Sequence, residues 1–109
     1  MLKTIACGDL RKENAGETVT LAGWVHRRRD HGNLIFIDLR DRSGLLQVVF
    51  NPEFSEAAHE LAGSLRSEWV VQITGKVVRR LPGAENPELP TGTVELSATK
   101  IVVLNKSLT

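Results

Sequence analysis

Alternation of apolar and polar residues, interrupted by single glycines, restricts this sequence more than any other feature. In residues 18–29, TVTLAGWVHRRR, Val19, Leu21 and Val25 share one parity while Thr20, Trp24 and His26 share the other. That period of two is a half-buried strand. Gly23 inside it predicts a bend, because a residue without a side chain permits a kink or bulge. Turn residues at 31–33 and 43–44 then separate a second strand at 34–40 from a third at 45–50, giving an antiparallel meander. Asn51, Pro52 and Glu53 supply a helix start, with a capping amide, a proline suited to the first helical position and an acid favoured by the helix dipole. Phe54, Ala58, Leu61 and Leu65 follow on one helical stripe, with Glu56 and Glu60 on the wet side. Residues 69–80 return to strand, with Val71, Ile73 and Val77 inward around Gln72, Thr74 and Lys76. Pro82, Gly83, Pro87, Pro90 and Gly92 mark residues 81–92 as an exposed loop, and residues 93–104 form a last strand, broken near Thr99 and Lys100.

Three strands, a helix and two strands, with glycine inside the first and fourth strands, is the order of an all-β, five-stranded OB barrel. The helix lies between strands three and four, and nucleic acid or sugar binds across strands two and three and the neighbouring loops. An SH3-like barrel has no natural place for that helix. Residues 1–17 precede the barrel, with a short helix around 9–12. At 109 residues and 12.0 kDa the chain holds one domain, and 41% hydrophobic with 25% charged residues excludes wholesale disorder. No apolar run reaches the ~18 residues of a membrane span, and the opening Met1-Leu2-Lys3-Thr4 is not a signal peptide, so a cytoplasmic protein away from membranes is expected. Cys7 alone makes no intrachain disulfide, and with His26, His31 and His59 it forms no zinc spacing, so no metal site is expected. Phosphate-cradling glycine loops and nucleophilic triads are absent as well. Asp38 and Asp41 sit among arginines that would neutralise them, and His59 reads as a solvated helix residue.

A net charge of +1 hides a local bias. Arg27, Arg28, Arg29, Arg40 and Arg42 fall in 24–42 against three aspartates, and Lys76, Arg79 and Arg80 make a second basic cluster. A plain solubility surface accounts for this too. Parity sharpens the picture. Ile35, Ile37 and Leu39 make one apolar face, so Phe36 points the other way with Asp38 and Arg40; Leu46, Val48 and Phe50 likewise turn Gln47 outward. The fourth strand presents Lys76, Val78 and Arg80, and the fifth Thr93, Glu95 and Ser97. An unpaired base stacked on an exposed ring gains roughly 1–3 kcal/mol, while Gln and Glu read base edges and Arg meets phosphate. Packing of Phe36 against a loop at the barrel rim fits its parity equally. Arg29 has the parity of Val19 and Val25; either the Gly23 bend resets the alternation or Arg29 lies past the barrel end.

The run 23–32, GWVHRRRDHG, continuing through Leu34-Ile35-Phe36-Ile37-Asp38-Leu39-Arg40-Asp41-Arg42 to Gln47-Val48-Val49-Phe50, closely resembles the N-terminal anticodon-binding domain of bacterial-type aspartyl-tRNA synthetases. The resemblance extends from Cys7-Gly8-Asp9-Leu10 to Thr91-Gly92, essentially the whole chain. It implies an OB domain at 18–104, and at 105–109 the start of a linker to a class II catalytic domain absent from this sequence. It also implies a parent ligase, a homodimer, that activates aspartate with ATP and Mg2+ and transfers it to tRNA. The fragment itself would bind RNA without catalysis or cofactor. By position, Phe36 matches the family's base-stacking aromatic and Gln47 the amide reading the central uracil. Arg29, Arg80 and Glu95 match positions near the anticodon, Glu95 suited to a guanine at the first base, and Arg66 a further loop contact. His31 and Gly83 resemble the form that accepts both tRNA-Asp and tRNA-Asn. The competing reading is a free-standing OB protein for single-stranded nucleic acid; such a protein spreads several aromatics along its groove, and this chain has only five aromatics in all, with Phe36 alone clearly displayed.

Overall fold

The alternation of residues 18–29 is realised as β1 (Thr18–His31), followed by β2 (Leu34–Asp41), β3 (Gly44–Phe50), α1 (Glu56–Ala62), β4 (Val70–Arg79) and β5 (Val94–Asn105). The computed structural model describes residues 3–106, so Met1 and Leu2, and the linker positions Ser107, Leu108 and Thr109, lie outside it. The strands close into a barrel in the order β1-β2-β3-β5-β4, with β3 and β5 parallel at Val48 opposite Leu96 and Val49 opposite Ser97. This is the five-stranded OB barrel expected from the element order. Inside it lie the side chains that alternation turned inward, among them Leu21, Val25, Ile37, Leu39, Leu46, Phe50, Ile73 and Leu96, all fully buried. Each contributes roughly 1.5–3 kcal/mol by leaving water.

β1 is long because it serves two partners. Its first half pairs with β4 and its second with β2, and Trp24 faces Val70 on one side and Arg40 on the other. Gly23 permits this crossing: a Cβ there would lie 2.3 Å from the Arg40 carbonyl oxygen. The break in register falls three residues later than Gly23, between Val25 and Arg27, so His26 is the extra, bulged residue. Gly23 therefore gives close approach, while His26 resets the alternation. Downstream of it, Arg29 stands opposite Phe36 and belongs to the outer face. Gly75 in β4 plays the matching part, its Cβ position being 2.3 Å from the Ser97 carbonyl oxygen. The expected break in β5 is a bulge at Thr99, and the strand continues through it.

The helix begins later than the stripe predicted. Ser55 caps α1, its hydroxyl accepting from the Ala58 N–H at 3.1 Å. Asn51 instead accepts from the Glu53 N–H at 2.9 Å and closes a separate turn, the local bond that asparagine favours. Phe54 is thereby left off the helix and 65% exposed, while Ala58, Ala62 and Leu65 cover the core. His59 is half-buried, not solvated, with Nε2 2.7 Å from the Asn33 carbonyl oxygen, which ties α1 to the β1–β2 turn.

Ahead of the barrel, two 3₁₀ turns, Cys7–Asp9 and Lys12–Asn14, replace the predicted helix at 9–12. Asp41 fastens the first of them and is not held by arginine. Its carboxylate accepts from the Cys7 N–H and the Ser43 N–H, each at 2.8 Å, and from the Ser43 hydroxyl. Gly8 packs so close that a Cβ would lie 2.1 Å from the Ser43 carbonyl oxygen, and the buried Cys7 thiol is pushed up by burial and by Asp41. Burial works against the charge of Asp41, but the bonds from Ser43 and Cys7 outweigh it and lower its pKa below the ordinary carboxylate range. A depressed folded pKa gives stability that is complete above the unfolded value and is lost as pH falls through the folded one. Urea midpoints followed downward from pH 6 should therefore fall more steeply below pH 4 in the parent chain than in Asp41→Asn, and the variant should be less stable at pH 7 by about 1–3 kcal/mol.

Candidate nucleic-acid interface

Register assembles the outer face row by row. Arg29, Phe36, Val49, Ser97 and Lys76 align across β1, β2, β3, β5 and β4. In the next row Asp38 pairs with Gln47 and Glu95 with Val78. The two basic stretches of the sequence thus meet. Arg29, His31, Phe36, Gln47, Arg80 and Asn86 line one open cleft of about 630 Å³.

A continuous chain of polar contacts runs along its floor. Arg29 Nη2 donates to Asp38 Oδ1 at 3.3 Å and to Gln47 Oε1 at 3.0 Å, and Gln47 Nε2 donates to Glu95 Oε1 at 2.9 Å. The direction of the amide is fixed by its neighbours: a guanidinium can only donate and a carboxylate can only accept. Gln47, only 9% exposed, is therefore held with its oxygen toward Arg29 and its nitrogen toward Glu95. The Arg29 guanidinium carbon lies 5.7 Å from the centre of the Phe36 ring, within cation–π range. Phe36 is half-buried, with its ring reaching the cleft.

Arg80 has two tasks. It lines the cleft, yet it is only 9% exposed, with Nε donating to the Val94 carbonyl at 3.1 Å and Nη1 to the Ala84 carbonyl at 3.3 Å. Burial lowers its pKa, Glu95 and Asp38 act to raise it, and Arg29 opposes them. It remains a guanidinium throughout the ordinary pH range. Two arginines and two acids thus make a nearly neutral centre inside a basic region.

The loop at 81–92 is more ordered than its proline and glycine content suggests. The Ala84 N–H donates to the Leu81 carbonyl at 2.9 Å across Pro82 and Gly83, and Gly83 has φ +88, the arrangement of a type II turn. Thr91, 1% exposed, donates its hydroxyl to the Leu45 carbonyl at 2.6 Å, and Gly92 is buried against Asn86. Gly83 faces open space beside Ala84 and is not itself a cleft wall. Arg66 stands apart, in a second depression with His26, Arg27, Arg28 and Asp30. There Arg28 is committed to Asp30 at 2.9 Å and to the Gly63 carbonyl at 2.6 Å, and its bonds hold the Asp30 carboxyl below the ordinary range.

Two members of the site were not singled out by sequence reasoning. Asp38 shares the parity of Phe36, which was a usable signal. Asn86 lies in an irregular loop with no period to read. Among the described residues, no group of three or more His, Cys, Asp or Glu side chains is gathered to hold a metal ion, and no helix is long and apolar enough to cross a membrane.

A closed barrel of this strand order, with an aromatic ring, a held amide and arginines on the face of β1 to β3, defines an OB domain of the nucleic-acid-binding class. Residues 19–104 match the tRNA anticodon family described as "OB-fold nucleic acid binding domain", and the chain belongs to that family as an anticodon-binding domain. It is 60% identical over 108 residues to an aspartate–tRNA(Asp/Asn) ligase of Corynebacterium efficiens, covering 98% of this chain and 17% of the relative. It is also 54% identical over 109 residues to an aspartate–tRNA(Asp/Asn) ligase of Desulfatibacillum aliphaticivorans, covering 100% of this chain and 18% of that one. Among solved structures, asparaginyl-tRNA synthetase from Pyrococcus horikoshii aligns with TM-score 0.80 and 30% identity, over 96% of this chain and 24% of that one. The chain thus spans less than a fifth of the length of these curated relatives.

Because Arg80 splints β5 to the loop, Arg80→Met should lower stability by roughly 1–3 kcal/mol, the cost of leaving buried carbonyls without a donor. Urea unfolding measures it. A purely RNA-facing arginine would leave the midpoint unchanged.

Proposed function

We propose that the cleft holds the anticodon loop of tRNA-Asp and tRNA-Asn for a synthetase that attaches aspartate to both. The observation that carries this reading is the Gln47 amide, fixed between Arg29 and Glu95 beside the Phe36 ring. A stacked base gains affinity from its π-face whatever its identity. Sequence discrimination needs a donor and an acceptor whose orientation does not adapt. Gln47 retains a second N–H and a second lone pair, a pattern that meets the N3–H and carbonyl edge of uracil. Arg29 keeps its bond to Gln47, and its remaining N–H groups beside the Phe36 ring face phosphate or base. Arg80 and Glu95 extend the contact to the neighbouring bases, and Arg66, with Arg27, meets the backbone at the side of the loop.

Relaxed tRNA choice rests on His31 and Gly83. His31 lines the cleft with Ala84, and the adjoining Gly83 adds no side chain at the turn, so the third anticodon base is not sterically selected. The names of the two ligase relatives, written for tRNA(Asp/Asn), support the same reading. Aspartate activation with ATP and Mg2+ belongs to the remainder of the parent enzyme, a cytoplasmic homodimer, with residues 18–105 as the anticodon module, one residue longer than the expected 18–104 because Asn105 still pairs with Val70, residues 1–17 its N-terminal extension and residues 106–109 the start of the linker to the catalytic part. No step of that chemistry is assigned to side chains of this chain.

A sequence-indifferent single-strand binder is the other class. The cleft argues against it, because Phe36 is its only aromatic wall. Titration of the chain at fixed low salt with stem-loops carrying the aspartate, asparagine and an unrelated anticodon separates the two. Preference for the first two over the third is expected, and equal affinity for all three would reject anticodon reading. Phe36→Ala should weaken the aspartate stem-loop roughly tenfold or more with an unchanged urea midpoint. Separately, His31→Leu with Gly83→Lys should lower affinity for the asparagine stem-loop relative to the aspartate one; an unchanged ratio would remove these residues from tRNA choice.

A further inference from the structure

The hairpin that carries Arg29 and His31 is held from behind. After the bulge at His26, Arg29 and His31 line the cleft, Arg28 lies in the depression that holds Arg66, and Asp30 borders both. The last β1–β2 pair is His31 with Leu34, so Gly32 and Asn33 make a two-residue turn, with Gly32 at φ +62 in the first central position, where glycine is favoured. Both central residues lie outside the ladder, and His31, Gly32 and Asn33 are all exposed. A tip of this kind is held by whatever meets it from outside the sheet.

Two ties meet the hairpin there, both from α1 and the turn that follows it. His59 Nε2 lies 2.7 Å from the Asn33 carbonyl oxygen, an acceptor only, so this nitrogen carries a proton and donates it. Arg28 Nη1 donates to the Gly63 carbonyl at 2.6 Å, while its Nε and Nη2 hold the two oxygens of Asp30, each at 2.9 Å. The helix itself is fixed by packing, with Ala58 and Ala62 buried and its main contacts on β5 and β3. Rigidity of the core thus reaches the hairpin through polar bonds, and the one from His59 reaches the turn itself. His59 lines neither the cleft nor the depression. We propose that His59 is a positioning residue for RNA: by holding the Asn33 carbonyl it fixes the β1–β2 turn, and with it the backbone from which His31 meets the third anticodon base. The inference rests on the cleft being the anticodon site, with His31 beside that base. A turn already in place loses less freedom on binding than one ordered by the RNA, so His59 raises affinity without touching the ligand.

The test uses His59→Ala and His59→Gln with two probes, the aspartate stem-loop and a copy of it made abasic at the third anticodon nucleotide. His59→Ala should bind the intact stem-loop about fivefold more weakly, on the order of the cost of ordering one side chain on binding. It should bind the abasic copy as the parent chain does, because that copy offers His31 no base. His59→Gln keeps a side-chain N–H donor and should restore most of the affinity. In a His31→Ala background His59→Ala should cost nothing further, as expected of two residues acting through one contact. Equal weakening of both probes would mean a direct phosphate contact or a general loosening of the fold, and unchanged binding with a lowered urea midpoint would make His59 purely structural; either result overturns the proposal. So does a loss that persists undiminished when His31 is already alanine. Phe36→Ala separates the two levels of argument. If it binds normally, the cleft reading fails and the inference with it; if it is weakened while His59→Ala is not, the inference alone fails.

Discussion

Closure of the barrel through β1 is the constraint on which the rest depends. One strand of 14 residues must pair with β4 along its first half and with β2 along its second. A continuous ladder cannot turn so sharply with side chains at every position. Gly23 removes the atom that would meet the Arg40 carbonyl, and the bulge at His26 absorbs the change of direction. The bulge also inverts the parity of everything after it. Arg29 would otherwise share the inward side with Val25; with the extra residue it stands outside, against Phe36. The bend that closes the core and the residue that equips the surface are thus one feature.

The surface that results is organised by orientation more than by net charge. Asp38, Arg29, Gln47 and Glu95 bond in sequence across β1, β2, β3 and β5, strands brought together only by closure. Each hydrogen bond here involves an ionised partner, which makes it stronger than a neutral one of the same geometry. What they achieve is the immobilisation of a neutral amide. Around this centre the outlying basic groups, Arg27, Arg66, Lys76 and Arg79, are free to meet a polyanion. In the proposed complex with an anticodon loop, phosphate contacts at these groups would supply salt-dependent affinity and the central amide the discrimination.

Sequence legibility varied with the range of the interaction involved. The inward sets of β2, β3 and β4 were readable because each depends on a period of two within a few residues, and the structure buries Ile35, Ile37, Leu39, Leu46, Val48, Phe50, Val71, Ile73 and Val77 as alternation requires. Outward placement of Phe36, Gln47 and Glu95 followed from the same arithmetic. The helix start was misread because two capping residues, Asn51 and Ser55, lie four apart and both satisfy the local rule; the chain uses the first for a turn and the second for α1. Asp41 was misread for a different reason. Neighbouring arginines in sequence suggested an ion pair, whereas its partners are the backbone and hydroxyl of Ser43 and the backbone of Cys7, a residue 34 positions away.

By itself, then, the sequence determined the class of fold, the order of its elements and which side chains could not face the core, because period, glycine placement and turn chemistry act within a few residues. Only the tertiary structure decided where β1 changes parity, since a bulge has no local signature distinct from a bend. It also decided that Arg80 supports the loop as well as the cleft, and that His59 of α1 meets the β1–β2 turn. Those are relations between elements far apart in the chain, and they exist only once the sheet has closed.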